Sequence, residues 1–249
     1  MLGIIGGTGL TQLANLEINN RMVVRTPYGE PSGAITFGSI RGHQVAFMAR
    51  HGYGHTIPPH LVNYRANIWA LREQGVTDIV SVATVGGIHA DLKAGTIAIP
   101  DQIIDYTWGR RSTYYDEVGE TPVTHIDFTQ PYSADLRKLC MEAITQAGES
   151  YIDGGVYAAV QGPRLETAAE INRLERDGAT MVGMTGMPEA VLARELDVNY
   201  AAIAVVANQA AGRGESESGI RYQDINAVLG DAMTRVRSIL EHLVVIHGR

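Results

Sequence analysis

The feature that most constrains this chain is the alternation of short apolar runs with longer amphipathic segments along nearly its whole length. Several runs are apolar at every position, which is typical of strands covered on both faces of a sheet. Eight runs predict strands at residues 2–5, 34–38, 44–49, 77–83, 96–100, 155–160, 179–184 and 199–207. Helical periodicity predicts helices at residues 60–75, 133–148, 166–178, 188–197 and 222–248.

This alternation predicts an α/β fold with a largely parallel or mixed central sheet flanked by helices. A length of 249 residues fits one large domain, and 45% hydrophobic residues suffice for a sizeable core. We therefore expect a single domain over residues 1–249, without an internal repeat or a linker. The stretch 101–130 is polar, aromatic and poorly periodic, so it predicts a long excursion of the kind that is often functional.

Composition and charge exclude several classes of function. The chain carries 20 Lys and Arg against 27 Asp and Glu, a net charge of −7, and has no basic run. This balance argues against binding a nucleic-acid polymer or an anionic membrane. The one cysteine, Cys140, excludes an internal disulfide and suits a buried thiol in a helix. No apolar run reaches the roughly 18 residues of a membrane span, and the N-terminus lacks signal-peptide features, so we expect a cytoplasmic protein.

A glycine-rich turn, "GIIGGTGL" at residues 3–10, follows the first predicted strand. A dinucleotide-binding fingerprint would place its third glycine at position 12, which is Gln12, and the lysine of a P-loop is absent. The remaining alternatives are an ordinary turn and a turn whose N–H groups and Thr8 hydroxyl hold an anion.

The segment "ARHGYGHTIPPH" at residues 49–60 combines an arginine with three histidines. The planar guanidinium of Arg50 offers a fork of donors that suits phosphate. The spacing of His51, His55 and His60 could suggest a metal. The glycines and prolines, however, preclude a helical ligand face, and no acidic residue is present. We expect an oxyanion contact here and no metal, with a surface loop as the alternative.

Three further segments carry candidate side chains. "ATVGGIH" at residues 83–89 places Thr84 before a double glycine whose amides could contact an anion. "QGPRLETAAE" places Glu166 at the start of a helix, where an acid also stabilises the helix dipole. "GMTGMPEAV" places the Thr185 hydroxyl near a helix N-terminus, which suits phosphate.

These candidates share one position relative to the sheet. Thr8, Arg50, Thr84 and Thr185 all follow predicted strands, and ligands of α/β sheets bind beyond the carboxyl ends of the strands. We therefore expect one phosphate pocket at that edge. Asn208, in "AIAVVANQAAGRG", ends another strand there, either as a turn residue or as a group that recognises a ligand.

Taken together, these segments resemble the trimeric purine nucleoside phosphorylase family, particularly its methylthioadenosine phosphorylase branch. The resemblance rests on "GIIGGTGL", "RHGYGHTIPPHLVNYRANIWAL", "AGTIAIPDQIIDYT", "QGPRLETAAE" and "GMTGMPEAVLARE", and it runs from about residue 2 to residue 210. It implies a mixed, partly barrel-like sheet and cleavage of an N-glycosidic bond by inorganic phosphate, which releases a purine base and a ribose 1-phosphate. It also implies a homotrimer, with phosphate as co-substrate and neither a metal nor an organic cofactor.

The resemblance assigns residues to the site. It implies phosphate contacts from Thr8, Arg50, His51, Ala83, Thr84 and Thr185. It implies catalytic roles for Asn208 and Glu166 at the purine. The implied substrate-binding residues are Met184 against the ribose, Glu166, Leu165, Asn208, Gln209 and Ala210 around the purine, His55, Tyr222 at the 5′ wall, and His125 from a partner subunit closing the 5′ end.

Two departures from the methylthioadenosine branch indicate the base. This chain has "ANQA" at residues 207–210 where that branch has "TDYD", and Glu166 where it has serine. The Asn208 amide can donate to a purine O6 and accept from a protonated N7, while Glu166 can accept from N1–H. With adenine these polar groups are mismatched, at about 1–3 kcal/mol each. We therefore predict a 6-oxopurine.

The sugar is predicted from the wall of the 5′ pocket. The chain sides with the methylthio branch at residues 49–71, and no histidine follows Asn208 until His242, so the 5′ pocket should be apolar. The expected reaction is phosphorolysis of S-methyl-5′-thioinosine to hypoxanthine and 5-methylthioribose 1-phosphate. The alternatives are a general inosine/guanosine phosphorylase, a methylthioadenosine phosphorylase and a purine-nucleoside binding protein without catalysis.

Overall fold

Within the described residues, eleven strands form one mixed sheet and five α-helices pack around it. The structure is a computed structural model and describes residues 1–116, 122 and 124–249, apart from the side chains of residues 222 and 224. The strands are β1 (Leu2–Gly6), β2 (Glu17–Met22), β3 (Ile35–Ile40), β4 (His43–Ala49), β5 (Asp78–Gly87), β6 (Ile97–Ile99), β7 (Gln102–Asp105), β8 (Ile152–Asp153), β9 (Val156–Ala159), β10 (Met181–Gly183) and β11 (Asn199–Gln209). The helices are α1 (Tyr64–Glu73), α2 (Ala134–Gln146), α3 (Ala168–Arg176), α4 (Gly186–Glu195) and α5 (Tyr222–His247). None of these helices has both the length and the apolar character needed to cross a membrane.

Strand β5 is the branch point of the sheet. The strand order is β2-β3-β4-β1-β5-β10-β9-β7, and β11 pairs along the other side of β5 and continues the sheet through β6 to β8. Strands β1, β4 and β11 run parallel to β5 or to its neighbour, whereas β10 runs antiparallel to β5. Strand β1 pairs with residues 78–81 of β5 and β10 with residues 86–87, so the two strands diverge between these points.

The sheet has an apolar layer on each face. Ile203 and Val205 of β11 pack with α2 and α5, and the adjacent Ala204 and Val206 pack with α1 and α4. This period of two places alternate residues of a strand on opposite faces. Cys140 of α2 is fully buried in the first layer, and burial raises the pKa of its thiol to about 12. The prediction of a buried thiol is confirmed.

All eight predicted strands and all five predicted helices are found, and the α/β prediction is confirmed. Three strands were not predicted. Strand β2 is exposed at every position and therefore lacks apolar alternation, β8 has only two residues, and β7 lies inside the stretch predicted as an excursion. An edge strand without a buried face carries no periodic signal in the sequence.

The N-termini of two helices differ from the prediction because capping residues determine them. Helix α1 begins after Asn63, whose side chain accepts from the backbone N–H of Ala66. Helix α3 begins after Thr167, which forms a reciprocal capping box with Glu170. Glu166 therefore precedes α3, and the prediction that it belongs to the helix start is wrong.

Candidate active site

A cavity of about 600 Å³ opens between β1 and β10, beside residues 84–86 of β5. It is lined by the glycine turn after β1, the loop after β4, the end of β5, the turn before α3, the segment after β10, the end of β11 and the start of α5. Eleven of the predicted site residues line it: Thr8, Arg50, His51, His55, Thr84, Leu165, Glu166, Met184, Thr185, Asn208 and Ala210.

Arg50 lies at the closed end of this cavity and is 1% exposed. Its Nε and Nη2 donate to the two carboxylate oxygens of Glu189 at 2.7 and 2.8 Å. Nη2 also donates to Ser81 Oγ at 2.6 Å, and Nη1 donates to the Val82 carbonyl at 3.2 Å. The prediction that the guanidinium fork faces phosphate is therefore wrong, because Glu189 occupies it. Of the five N–H groups of a guanidinium, these bonds leave one Nη1 N–H for a ligand.

Glu189 was not singled out in the sequence, yet it organises the closed end of the cavity. It is fully buried in α4, and its Oε1 also accepts from the Tyr200 hydroxyl at 2.8 Å. Burial acts to lower the pKa of Arg50, but the Glu189 carboxylate more than reverses this effect and raises it above its ordinary value. Arg50 therefore remains charged. The available signal was an acid within the apolar stretch "MPEAVLA".

The glycine turn brings a backbone segment against this arginine. A Cβ on Gly7 would lie 2.6 Å from the Val82 carbonyl oxygen and 2.9 Å from Arg50 Nη1, so only glycine fits there. The Thr84 hydroxyl donates to the Thr8 carbonyl at 3.3 Å and links the turn to β5. The turn thus places Thr8 beside Thr84 and the remaining Arg50 donor.

His51 is buried beside Arg50 and is held in one tautomer. Its Nδ1 lies 2.8 Å from the carbonyl oxygen of Ile57, which can only accept, so Nδ1 carries the proton. Burial, followed by the charge of Arg50, lowers the pKa of His51 to about 4. The ring is therefore neutral at pH 7, with a lone pair on Nε2. The ring of His55 packs edge-on at 4.8 Å between centroids.

Thr185 reaches the cavity from an unexpected direction. Strand β10 runs antiparallel to β5, so Thr185 does not follow a strand parallel to those that carry Thr8, Arg50 and Asn208. Thr84 lies inside β5 and does not follow it. The expectation of one carboxyl edge is corrected to two converging sets of strands. Thr185 is buried at the N-cap position of α4, and its hydroxyl makes no capping hydrogen bond.

Glu166 lines the cavity from the turn before α3. It is half-buried, and burial raises the pKa of its carboxyl above the ordinary value. The neighbouring Arg164 does not neutralise it, because that guanidinium pairs with Glu170 at 2.7 and 2.8 Å. No ion pair to Glu166 is found among the described residues. A desolvated carboxylate facing a cavity is a group that a ligand donor can satisfy.

Asn208 faces the cavity because of a β-bulge. Val206 pairs with Val85 and Asn208 pairs with Gly86, so Ala207 is one extra residue in β11. Both Ala207 and Asn208 line the cavity, although consecutive residues of a regular strand point to opposite faces. The Asn208 Nδ2 donates to the Gln209 carbonyl at 2.7 Å, which leaves a second N–H. Asn208 is thus the penultimate residue of β11, one residue before the strand end at which it was predicted.

The prediction that the whole segment 208–210 faces the purine is wrong for Gln209. Its side chain is not among the described groups that line the cavity. Instead, its Oε1 accepts from the backbone N–H of Glu215 at 3.1 Å. Alternation resumes after the bulge, so Asn208 and Ala210 face the cavity and Gln209 faces the loop at 212–216.

The wall nearest α5 is mostly apolar. Ile220, Ile225 and Leu229 line it together with one polar residue, Asn226. Tyr222, which was also predicted for this wall, is the first residue of α5, and its side chain lies outside the described part of the structure.

Besides Gln209, two predicted residues are not among those that line this cavity. The side chain of Ala83 is buried in the core, and its predicted role concerns only its backbone. His125 is exposed and is not among the described residues that line the cavity, so its role toward a partner subunit stays a prediction. No group of three or more potential metal ligands comes together in the part of the chain that the structure describes, and the expectation of no metal stays a prediction.

Comparison with known proteins identifies the family. The sequence model of the Phosphorylase superfamily matches residues 1–245. The chain is 51% identical over 242 residues, or 97% of each chain, to a protein named "Probable S-methyl-5'-thioinosine phosphorylase" from Pseudomonas syringae pv. tomato. It is 47% identical over 216 residues to the "6-oxopurine nucleoside phosphorylase" of Pyrococcus furiosus, which covers 85% of this chain and 80% of that protein. Its fold matches methylthioadenosine phosphorylase from Schistosoma mansoni in complex with adenine, with a TM-score of 0.93, 30% identity and coverage of 99% and 91% of the two chains. With this match over nearly its full length, the chain belongs to the phosphorylase superfamily.

Proposed function

We propose that this protein catalyses the phosphorolysis of purine nucleosides and that its preferred substrate is S-methyl-5′-thioinosine. The observation that carries the proposal is the arrangement of one cavity. A charged, buried Arg50 lies at one end, and the desolvated Glu166 lies with Asn208 at the other. The first end suits an oxyanion, and the second suits a planar heterocycle with donors and an acceptor on its edge.

The phosphate end supplies a nucleophile in a fixed position. The remaining Arg50 N–H and the hydroxyls of Thr8 and Thr185 would donate to phosphate oxygens. The neutral His51 Nε2 would accept from the P–O–H of monohydrogen phosphate. A phosphate oxygen would form the bond to C1′ as the C1′–N9 bond breaks and its electron pair moves to the purine. Holding the anion beneath C1′ supplies both proximity and stabilisation of the developing oxocarbenium charge.

The purine end favours a 6-oxopurine. The second N–H of the Asn208 amide would donate to O6, and Asn208 Oδ1 would accept from a protonated N7 as the base departs. Glu166 would accept from N1–H in a charge-assisted bond. Adenine presents a lone pair at N1 to the carboxylate and an amino group at position 6 to the amide donor, so both contacts become mismatches.

The 5′ end favours a methylthio group. Ile220, Ile225 and Leu229 form an apolar wall that suits a thioether. The relative from Pseudomonas syringae, named a probable S-methyl-5'-thioinosine phosphorylase, supports this assignment. A second candidate is a general inosine/guanosine phosphorylase. The amide of Asn226 in the same wall favours this second candidate, because the amide could bind a 5′-hydroxyl. The relative from Pyrococcus furiosus, a 6-oxopurine nucleoside phosphorylase, supports the same candidate.

We also propose that the protein acts as a cytoplasmic homotrimer without a metal or an organic cofactor. The exposed position of His125, away from the cavity of its own chain, is compatible with a contact to the cavity of a partner subunit. The single buried thiol suits a reducing compartment.

A nucleoside panel tests the proposal. S-methyl-5′-thioinosine, inosine, guanosine and methylthioadenosine are each incubated with and without phosphate, and the released base is quantified. We expect phosphate-dependent release of hypoxanthine. The kcat/KM for methylthioinosine should be at least about tenfold above that for inosine, because an apolar pocket that buries the methylthio group can discriminate by about this factor. Equal efficiencies would favour the second candidate. Efficient cleavage of methylthioadenosine would refute the base assignment, and binding without release would indicate a binding protein.

The same panel applied to Asn208→Asp tests the role of the amide. A carboxylate cannot donate to O6, so kcat/KM for methylthioinosine should fall about 10- to 100-fold, as for a lost buried hydrogen bond of about 1–3 kcal/mol. Gln209→Glu is the matched control, because the same chemical change then occurs one residue away on the opposite face. An equal effect of both substitutions would refute recognition by Asn208.

A further inference from the structure

Arg110 connects two walls of the cavity from behind. It is half-buried in the stretch between β7 and α2 and is not among the described residues that line the cavity. Its Nη1 donates to the carbonyls of Met184 at 2.8 Å and Met187 at 2.6 Å. Its Nη2 donates to the carbonyls of Val160 at 3.2 Å and Gln161 at 2.9 Å.

The two segments that Arg110 joins carry groups with different tasks. Residues 184–187 follow β10 and include Thr185 at the phosphate end, together with Met184, which lines the cavity. Residues 160–161 follow β9 and lead into the turn that carries Glu166 at the purine end. Strands β9 and β10 are parallel neighbours, so both segments leave the sheet at one edge. The planar guanidinium lies between them and bonds to both.

A third wall is connected through Tyr64. The Arg110 guanidinium lies 5.5 Å from the centroid of the Tyr64 ring, and its Nη1 is 3.3 Å from the hydroxyl. Tyr64 in turn donates to the carbonyl of Pro59, which lines the cavity. The Nε of Arg110 also donates to the side-chain Oε1 of Gln161 at 3.2 Å. One side chain thus fixes the relative positions of three segments around the cavity.

We propose that Arg110 is a positioning residue for phosphorolysis: by joining residues 160–161 to residues 184–187, it sets the distance between the purine subsite and the phosphate subsite. This inference rests on the proposed function. Transfer of the ribosyl group from N9 to phosphate requires C1′ to lie between N9 and a phosphate oxygen, at near-attack distance from that oxygen. A misplacement of about 1 Å can lower the rate about 100-fold. Neither ligand needs to contact Arg110 for this effect.

The test separates positioning from binding. In Arg110→Ala, each subsite keeps its own side chains. We therefore expect kcat for methylthioinosine to fall about 100-fold, as for such a misplacement, and each KM to change less than about threefold. Arg110→Lys keeps the charge but loses the planar fork that bonds to both segments, so it should recover little of kcat. Added guanidinium ion, at concentrations well below those that unfold the wild type, should partly restore kcat of Arg110→Ala.

Arg137→Ala is the matched control. The Arg137 guanidinium also bonds to two backbone carbonyls, those of Ile99 and Pro100 at 3.1 and 3.0 Å, but these segments do not line the cavity among the described residues. Its kcat should stay within about twofold of the wild type and should not respond to guanidinium, since neither segment borders the reacting atoms. Thermal unfolding of each variant gives the folded fraction, to which every kcat is normalised.

Several outcomes would overturn the proposal. One is a kcat of Arg110→Ala that equals that of Arg137→Ala after normalisation. Another is a rise in KM with unchanged kcat, which would assign Arg110 to binding. If Arg110→Ala does not fold, Arg110→Lys is used, and wild-type kcat in that variant overturns the proposal. Failure of the wild type to release any base with phosphate refutes the proposed function and is a separate result.

Discussion

The two ends of the cavity are built in opposite ways. At the phosphate end, Arg50 is fully buried, and Glu189, Ser81 and Val82 together accept four hydrogen bonds from it. At the purine end, Glu166 has a desolvated carboxylate with no ion-pair partner among the described residues. The phosphate end is therefore organised before any ligand binds, whereas the purine end keeps hydrogen-bonding capacity that a ligand can use.

This difference follows from where each end lies in the fold. The groups around Arg50 come from β5 and α4, which lie in the apolar core. Glu166 and Asn208 come from a turn before a helix and from a bulge in β11. A charge network inside the core supports stability as well as binding, whereas groups on a turn and a bulge can specialise in recognition. Substitutions at the two ends should therefore separate stability from activity.

The largest effect is expected at the phosphate end. Glu189→Gln would leave the Arg50 charge buried without its counter-ion and should lower the free energy of unfolding by about 3–5 kcal/mol. Urea unfolding at pH 7 measures this loss. Glu73→Gln is the control. Glu73 pairs with Arg72 at the surface, where the two side chains are 37% and 52% exposed, and such a pair contributes at most about 1 kcal/mol. Equal losses in both variants would contradict the proposed role of the buried pair.

A smaller and different effect is expected at the purine end. Glu166→Gln should lower kcat/KM for methylthioinosine about 10- to 100-fold, because a hydrogen bond to a charged group contributes about 1.5–3 kcal/mol. Stability should not fall, since the substitution removes a desolvated charge. A loss of stability as large as that of Glu189→Gln would remove the contrast between the two ends.

The pH profile sharpens the same comparison. Burial raises the pKa of Glu166, so kcat/KM should decline as the pH falls toward that raised pKa, and Glu166→Gln should lack this decline. Glu142→Gln is the control. Glu142 is exposed on α2 and is not among the described residues that line the cavity, so its substitution should leave the acid side of the profile unchanged.

The smallest effect is expected for His51. Its pKa is about 4 in the folded chain and about 6.5 in an unfolded one, so as pH falls below 6.5 the unfolded chain takes up this proton first. Stability is then lost progressively down to about pH 4. Between pH 7 and pH 5 the wild type should lose about 1–2 kcal/mol more than His51→Asn. Urea unfolding at both pH values measures this. His89→Asn, at the surface, is the control and should lose as much stability as the wild type between the two pH values. The same loss in His51→Asn would refute the role assigned to His51.

The sequence predicted which segments meet but not how their side chains are paired. Apolar periodicity located every strand that contains a buried residue and missed β2, β7 and β8, which contain none. The position of polar residues after the located strands identified most of the cavity. Glu189 and Arg110 were missed because their roles depend on partners that are distant in sequence. Arg50 is 139 residues from Glu189, and the backbone carbonyls that Arg110 binds are 50 to 77 residues from it. The orientation of the Arg50 fork could not be predicted for the same reason.

Local irregularities explain the remaining differences. Gln209 was predicted to face the purine because nothing in "VVANQAAG" reveals a bulge, and the pairing of β11 with β5 creates it. The start of α3 was predicted too early because the acid at position 166 and the capping box at 167–170 are both typical of a helix N-terminus. The bulge depends on pairing with a strand that is distant in sequence, whereas the helix start depends on a local capping pair three residues apart.

The extra residue in β11 has a consequence for how such a protein can evolve. Ala207 has no pairing partner in β5, whereas Val206 and Asn208 pair with the consecutive residues Val85 and Gly86. Loss of this one residue would therefore leave both pairs in register and remove only the local distortion of the bulge. A one-residue slip of the whole strand against β5 would, in contrast, reverse which side chains face the cavity. Among descendants of this chain, a change of length in β11 should therefore occur at position 207 before any other position of the strand.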